Sequence, residues 1–377
     1  MNKAIRVLIL VCLCPLNFAP QLMASEKNAA EKEALRILTW EGYVSNEELA
    51  EVNQLLEAQG YAYEAQVIEP YAEGAEQMFD LIRSNKTDIT FLTLFFIKME
   101  NEQTSKLLQT INVDSPRLSN YQDLLSDLTY LPMGLNQDGE PLYIPWGGGT
   151  YGFYVDRNKV SEPDTPKSVK ELWLPKWSGK FSLNQSQEWY NIGLSLMSMG
   201  DSPFLLHELA KADDREKIMA TIGAESDLQT RLTNLYANAG HFWRASPDFG
   251  KGLLIVSCWG PEVSRENNAG GNWQRIAFKE GEMVWLDTIN FVKELEGKKL
   301  EAAEIFANYF IGKKVQDRVS RELSMAAASS KAVINKDLGD PRTLFDTKMF
   351  VPPYDNISYS IMKRMADKAS KAAHNLP

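Results

Sequence analysis

From residue 35 onward the apolar positions fall into two alternating spacings, one suited to strands and the other to helices. Residues 35–40 carry Leu35, Ile37, Leu38 and Trp40 in a short apolar run, which predicts a strand. Ser45 and Glu48 stand three apart just before Leu49, Val52, Leu55 and Leu56. That is the spacing of a capping box, and it predicts a helix with those four side chains on one face. Residues 63–68 read as a second strand, 75–82 as a helix with Met78, Phe79 and Ile82 inward, and 88–92 as a third strand. Strands alternating with helices predict parallel pairing through crossover helices, with ligands bound at the carboxyl ends of the strands. Trp40 and the loop after Leu92 fall at such ends.

The pattern continues with strands at 151–155, 179–183 and 253–258, helices at 191–199 and around 231–239, a return strand at 289–292, and a helix over 300–310. In the last, Phe306, Tyr309 and Phe310 share a face. The expectation is an α/β protein of two lobes with a ligand cleft between them. Residues 25–150 with about 290–377 form the first lobe, and 151–289 the second. The glycine run Gly147-Gly148-Gly149 before Thr150 reads as a flexible turn near the crossing, and 150–155 and 288–292 are the hinge candidates. The leader at 25–34 and the Lys/Ala-rich tail at 363–377 read as solvated or frayed.

Lys3 and Arg6, the apolar stretch 7–18 and Ala24 have the layout of an export signal. Residues 1–24 are therefore expected to be cleaved near Ala24, leaving a periplasmic protein. The apolar stretch is shorter than the ~20 residues of a spanning helix and contains Pro15. Loss of the two basic residues takes the net charge from −10 to −12. An acidic chain disfavours nucleic acid and suits a cationic ligand. Cys12 and Cys14 leave with the signal, so Cys258 remains without a partner and reads as a small core residue.

Enzyme motifs are missing. There is no nucleophile elbow, zinc helix motif or phosphate loop, and three histidines give no support to a metal site. No cofactor is expected. A glycosidase built on scattered carboxylates stays a distant alternative. The residues that do suggest chemistry are aromatic and acidic: Trp40 and Tyr43 after the first strand, Trp259 after another, and Trp285 with Asp287 closing an apolar run. Ring faces attract ammonium through their quadrupoles and a carboxylate adds full charge, so together these residues suit a desolvated organic cation.

Several segments in order resemble the periplasmic polyamine-binding proteins, the PotD and PotF group of type 2 solute-binding proteins. They are Trp40-Glu41-Gly42-Tyr43; Asp88 to Phe91 with Met99; Tyr143-Ile144-Pro145 before the glycine run; the stretch 171–180; Trp259; and 279–287. The resemblance implies a two-lobed fold. It also implies a small cationic polyamine, spermidine or norspermidine, held by Trp40 and Tyr43 from the first lobe and by Trp259, Trp285 and Asp287 from the second. The family's further acidic pair falls around 186–190, where Glu188 is the only carboxylate. A monomer working with a membrane partner is implied, either an ABC permease or a GGDEF/EAL-type signalling protein that controls cyclic-di-GMP and biofilm formation.

Three positions depart from the transport pattern. Leu92 and Leu94 stand where transport members have Ser and Tyr, Gly42 replaces an acidic residue with Glu41 displaced by one, and the carboxylate set is thinner. These departures favour the sensor over the transporter.

Overall fold

The computed structural model describes residues 32–345 and 348–373, with Asn101 and Glu102 described by backbone alone. The expected signal at 1–24 lies outside the described residues. Strand β1 (Glu33–Leu38) pairs in parallel with β2 (Tyr63–Val67) and β3 (Ile89–Thr93), as the strand–helix alternation predicts. The connecting helices are Asn46–Ala58 and Ala75–Arg83. Ser45 caps the first of these: its hydroxyl accepts from the Glu48 amide at 3.2 Å while Glu48 Oε2 accepts from the Ser45 amide at 3.0 Å. Val52 and Leu56 are buried on that helix, whereas Leu55, expected on the same face, is exposed.

Beyond β3 the sheet ceases to be parallel. Strand β4 (Ile144–Thr150) leads directly toward β5 (Gly152–Asp156), and two short strands, β6 (Ser182–Asn184) and β7 (His241–Trp243), pair in parallel. Strands β8 (Ile255–Cys258) and β9 (Trp273–Arg275) flank β5 on either side, both antiparallel to it. Strand β10 (Val284–Phe291) then returns between β3 and β4, antiparallel to both, and β11 (Ala326–Ala327) closes the far edge. The first sheet therefore runs β11-β4-β10-β3-β1-β2.

The chain leaves this sheet between Thr150 and Gly152 and re-enters it at Val284, inside the span 151–289 expected to be wholly second-lobe. Residues 288–292, a hinge candidate, are largely β10 itself. The return strand begins five residues earlier than its apolar core suggests, because Trp285 and Asp287 are strand residues too.

The glycine run proves to be a strand and not a turn. In β4 a Cβ on Gly148 would fall 2.3 Å from the Trp285 carbonyl oxygen, and one on Gly149 would come within 3.2 Å of the Trp285 ring. Glycine is required at 148 because the β10 backbone lies directly against it, and at 149 the Trp285 ring packs closely on the β4 backbone. The C-terminal tail also differs from expectation. Helix Asn356–Ala373 packs on helices Asp227–Asn238 and Glu188–Met199, burying Met362, Met365, Ala366 and Ala369. It thus joins the middle segment and does not fray. Cys258 is fully buried, as expected of a core thiol, and burial pushes its pKa well up. Among the described residues no helix is long and apolar enough to cross a membrane.

Candidate functional site

The carboxyl ends of β1, β3, β7 and β8 converge on one face of β10, and a narrow cavity opens there. Trp40 and Tyr43 come from the loop after β1, Thr93 from the end of β3, and Trp259 from just beyond β8. Trp285 and Asp287 rise from β10 itself. Five of the six residues expected to bind ligand thus share one cavity.

Asp287 is its electrostatic centre. The register of β10 against β4 shifts between Asp287 and Thr288, an irregularity of the kind that re-aims a strand side chain. The carboxylate is 2 % exposed. Tyr43 donates its hydroxyl to Oδ2 at 2.6 Å, while Oδ1 is buried and receives no hydrogen bond. Burial lifts the Asp287 carboxyl to about 7, against the opposing pull of the Tyr43 hydroxyl. A buried oxygen without a donor is costly, and an arriving ammonium removes that cost by supplying both charge and N–H.

The aromatic walls are packed on one another. Trp259 meets Trp285 edge-to-face, with ring centroids 6.2 Å apart at 89°, and lies 4.8 Å from Tyr151 and 5.0 Å from Tyr190. Trp285 is buried, whereas Trp40 and Trp259 are half-buried. On the opposite wall the Tyr43 ring lies 4.4 Å from Trp146, which anchors it to the core of the first sheet.

The loop carrying Trp40 and Tyr43 is itself fastened. Gly42 adopts φ +84°, a left-handed turn that an L side chain resists. Arg318 donates to the carbonyls of Gly42 and Tyr43 at 3.2 and 2.5 Å and to both oxygens of Glu48 at 2.6 and 2.7 Å. One guanidinium therefore ties the aromatic loop to the helix that follows it.

Glu188 is not part of this group. It is 6 % exposed on the first turn of its helix and faces a second cavity, while its neighbours Gln187 and Tyr190 face the first. The second carboxylate of the tryptophan-lined cavity is instead Glu262, which the sequence reading missed. It lies in the first turn of helix Pro261–Asn268 and accepts from the Trp259 amide at 3.2 Å. Burial raises its pKa as well. The available signal was its place in the link from β8 to the next helix, the same type of position that drew attention to Trp259. Glu41 also reaches the cavity and pairs with Arg265 at 3.0 Å, joining the β1 loop to helix Pro261–Asn268 at the rim.

Leu92 and Leu94 are fully buried, and the cavity is lined at this point by Thr93 between them. Alternation along β3 turns Leu92 into the core, and Leu94 opens the 3₁₀ turn Leu94–Lys98, whose apolar side chains are buried as well. Among the described residues no group of three or more metal-ligating side chains is assembled.

Residues 76–357 match the bacterial extracellular solute-binding proteins, and the chain belongs to that family. Its fold is that of the two-lobed type 2 periplasmic binding proteins. The spermidine/putrescine ABC transporter substrate-binding protein PotD from Streptococcus pneumoniae is similar, at TM-score 0.62 and 16 % identity over 91 % of this chain and 99 % of that one. The TpPotD lipoprotein of Treponema pallidum gives 0.63 and 12 % over 89 % and 99 %. Iron-bound HitA from Pseudomonas aeruginosa also shares the fold, at 0.54 and 12 % over 91 % and 99 %. No curated protein matches the sequence significantly. One fold thus accompanies different ligands in these relatives, and choice of ligand rests on the cavity lining.

Proposed function

We propose that this protein is a receptor for a polyamine cation of the spermidine or norspermidine kind, and that it performs no chemistry on it. The observation that carries this reading is Asp287 Oδ1, a buried carboxylate oxygen without a donor inside a cavity walled by Trp40, Trp259 and Trp285. Glu262 supplies a second carboxyl at the same cavity, and the indole and phenol faces cover the alkyl spacers between ammonium groups. An anionic or metal ligand would meet two desolvated carboxyls and no cluster of ligating groups. The name of the S. pneumoniae relative supports the same ligand class.

Ligand capture is coupled to closure of the lobes about the crossing near Thr150–Gly152, because an amine held from both walls favours the closed form. The closed surface is then read by a membrane partner. An ABC permease is supported by the name of the S. pneumoniae relative. The signalling alternative, a partner controlling cyclic-di-GMP and biofilm formation, drew on Leu92, Leu94 and a thin carboxylate set. It loses weight because both leucines point into the core and Glu262 enriches the site.

The direct test is thermal unfolding of the mature protein with spermidine, norspermidine and putrescine, set against sugars and acidic amino acids. Only the amines should raise Tm, by mass action on the native state. A shift with an anion and none with any amine would falsify the reading. Deletion of the gene separates the partners: lost polyamine uptake marks a permease, and altered surface attachment with intact uptake marks a signalling protein.

A further inference from the structure

We propose that the chamber walled by Glu188, Ser186, Tyr236, Tyr359 and Glu76 is a second binding site for a small ammonium compound, separate from the cleft around Asp287. This chamber lies between helices Ala75–Arg83, Glu188–Met199 and Asn356–Ala373. It shares no lining residue with the tryptophan-lined cavity, even though Ser186 and Gln187, adjacent in sequence, face one each.

Two polar atoms on a single wall of the chamber lack partners. Glu188 Oε1 is buried and receives no hydrogen bond, and neither does Ser186 Oγ close to it. Lys363, whose charge acts on Glu188, does not resolve this, because its Nζ lies 2.6 Å from Glu76 Oε2 and is engaged there. Burial lifts the Glu188 carboxyl to about 7 even with Lys363 pulling it down, which is the condition of a carboxyl awaiting a closer positive charge.

The sign of the occupant follows from the walls. Carboxylates outnumber basic groups on them five to three, so a net negative field remains after internal pairing. Burial, and after it the charges of Glu188 and Glu76, raise the Tyr359 pKa, and its ring offers a face for the alkyl part of an amine. A primary ammonium supplies the donors that Glu188 and Ser186 lack. The occupant is therefore of the same chemical class as the ligand proposed for the cleft, but it is held by different residues.

Calorimetric titration of the mature protein with putrescine tests this. Two binding events per chain are expected. Glu188→Gln should abolish the second and leave the first unchanged, while Asp287→Asn should weaken only the first. A single event in the wild type that is insensitive to Glu188→Gln, or one event weakened by both substitutions, overturns the second site. Two events both insensitive to Glu188→Gln overturn it as well. Because the arms use different residues, loss of an Asp287-dependent event refutes the cleft reading without touching this one. If Glu188→Gln fails to fold, Tyr359→Leu should remove the same event.

Discussion

The hydroxyl of Tyr43 meets Asp287 at 2.6 Å, joining the loop after the first strand to a strand 244 positions later. The contact occupies one carboxylate oxygen and leaves the other for ligand. Tyr43→Phe should therefore weaken polyamine binding severalfold at pH 7, where loss of the donor raises the carboxyl pKa further. The defect should shrink by pH 9, where Asp287 is ionised in both proteins. Titrations of the two proteins at both pH values check this.

Asp287→Asn removes the charge itself. Binding should fall by about 2–3 kcal/mol, or roughly 30- to 150-fold, as expected for losing a charge-assisted contact in a dry enclosure. Calorimetry on the variant with wild-type circular dichroism is the measurement. Unchanged affinity would place the site elsewhere.

Protonation gives an independent test. The Asp287 carboxyl sits near 7 in the folded protein against an ordinary value of 3.8, and Glu262 shifts in the same direction. Both changes favour the protonated form on folding. In the ligand-free protein these groups contribute stability that is complete below their unfolded pKa values and declines as pH rises through the folded ones. Amine binding has the opposite dependence, since the ligand needs the carboxylate. Affinity should drop by about tenfold per pH unit below 7 for one coupled proton and level off above it. Binding measured between pH 5.5 and 8.5 should follow this slope, and Asp287→Asn should flatten it.

Trp259 and Trp285 differ in what they contribute. Trp285 is 3 % exposed over the β4 glycines, so Trp285→Ala should cost about 3–5 kcal/mol of stability together with binding. Trp259 is half-buried, and its replacement by alanine should lower affinity at a smaller cost in Tm. Paired melts and titrations of both variants distinguish a wall of the site from a beam of the core.

Arg265 and Glu41 form an exposed pair across the rim, with side chains 48 % and 40 % exposed. Such a pair adds about 0.2–1 kcal/mol at most to stability. Arg265→Ala should leave Tm nearly unchanged while speeding ligand release, and high salt should speed release from the wild type in the same way. Stopped-flow dissociation followed by tryptophan fluorescence reads both effects.

The first half of the α/β pattern was legible because local signals and tertiary pairing agree there: the Ser45/Glu48 box, the Met78–Phe79–Ile82 face and the apolar β3 all describe real elements. The glycine run misled because glycine marks both turns and close backbone approach, and only the position of Trp285 tells them apart. The tail looked peripheral because its buried face is built from Met365, Ala366 and Ala369 between lysines, a weak apolar signal that gains meaning only against helix Asp227–Asn238. In the site, side chains following strands were found, whereas the division of labour between Glu188 and Glu262 depends on which way each first helical turn faces, and residue spacing carries no such information.

The bed of glycine under Trp285 also sets how this binding site could be altered. A side chain at Gly148 would collide with the Trp285 backbone and lift the neighbouring strand, and one at Gly149 would press on the Trp285 ring, so the floor of the cavity has little sequence freedom. Glu41, Gln187 and Glu262 stand instead on loops and first helical turns that can accept replacement. Redesign toward a longer, shorter or differently charged amine should therefore succeed from the rim inward, with the indole floor kept as a fixed datum.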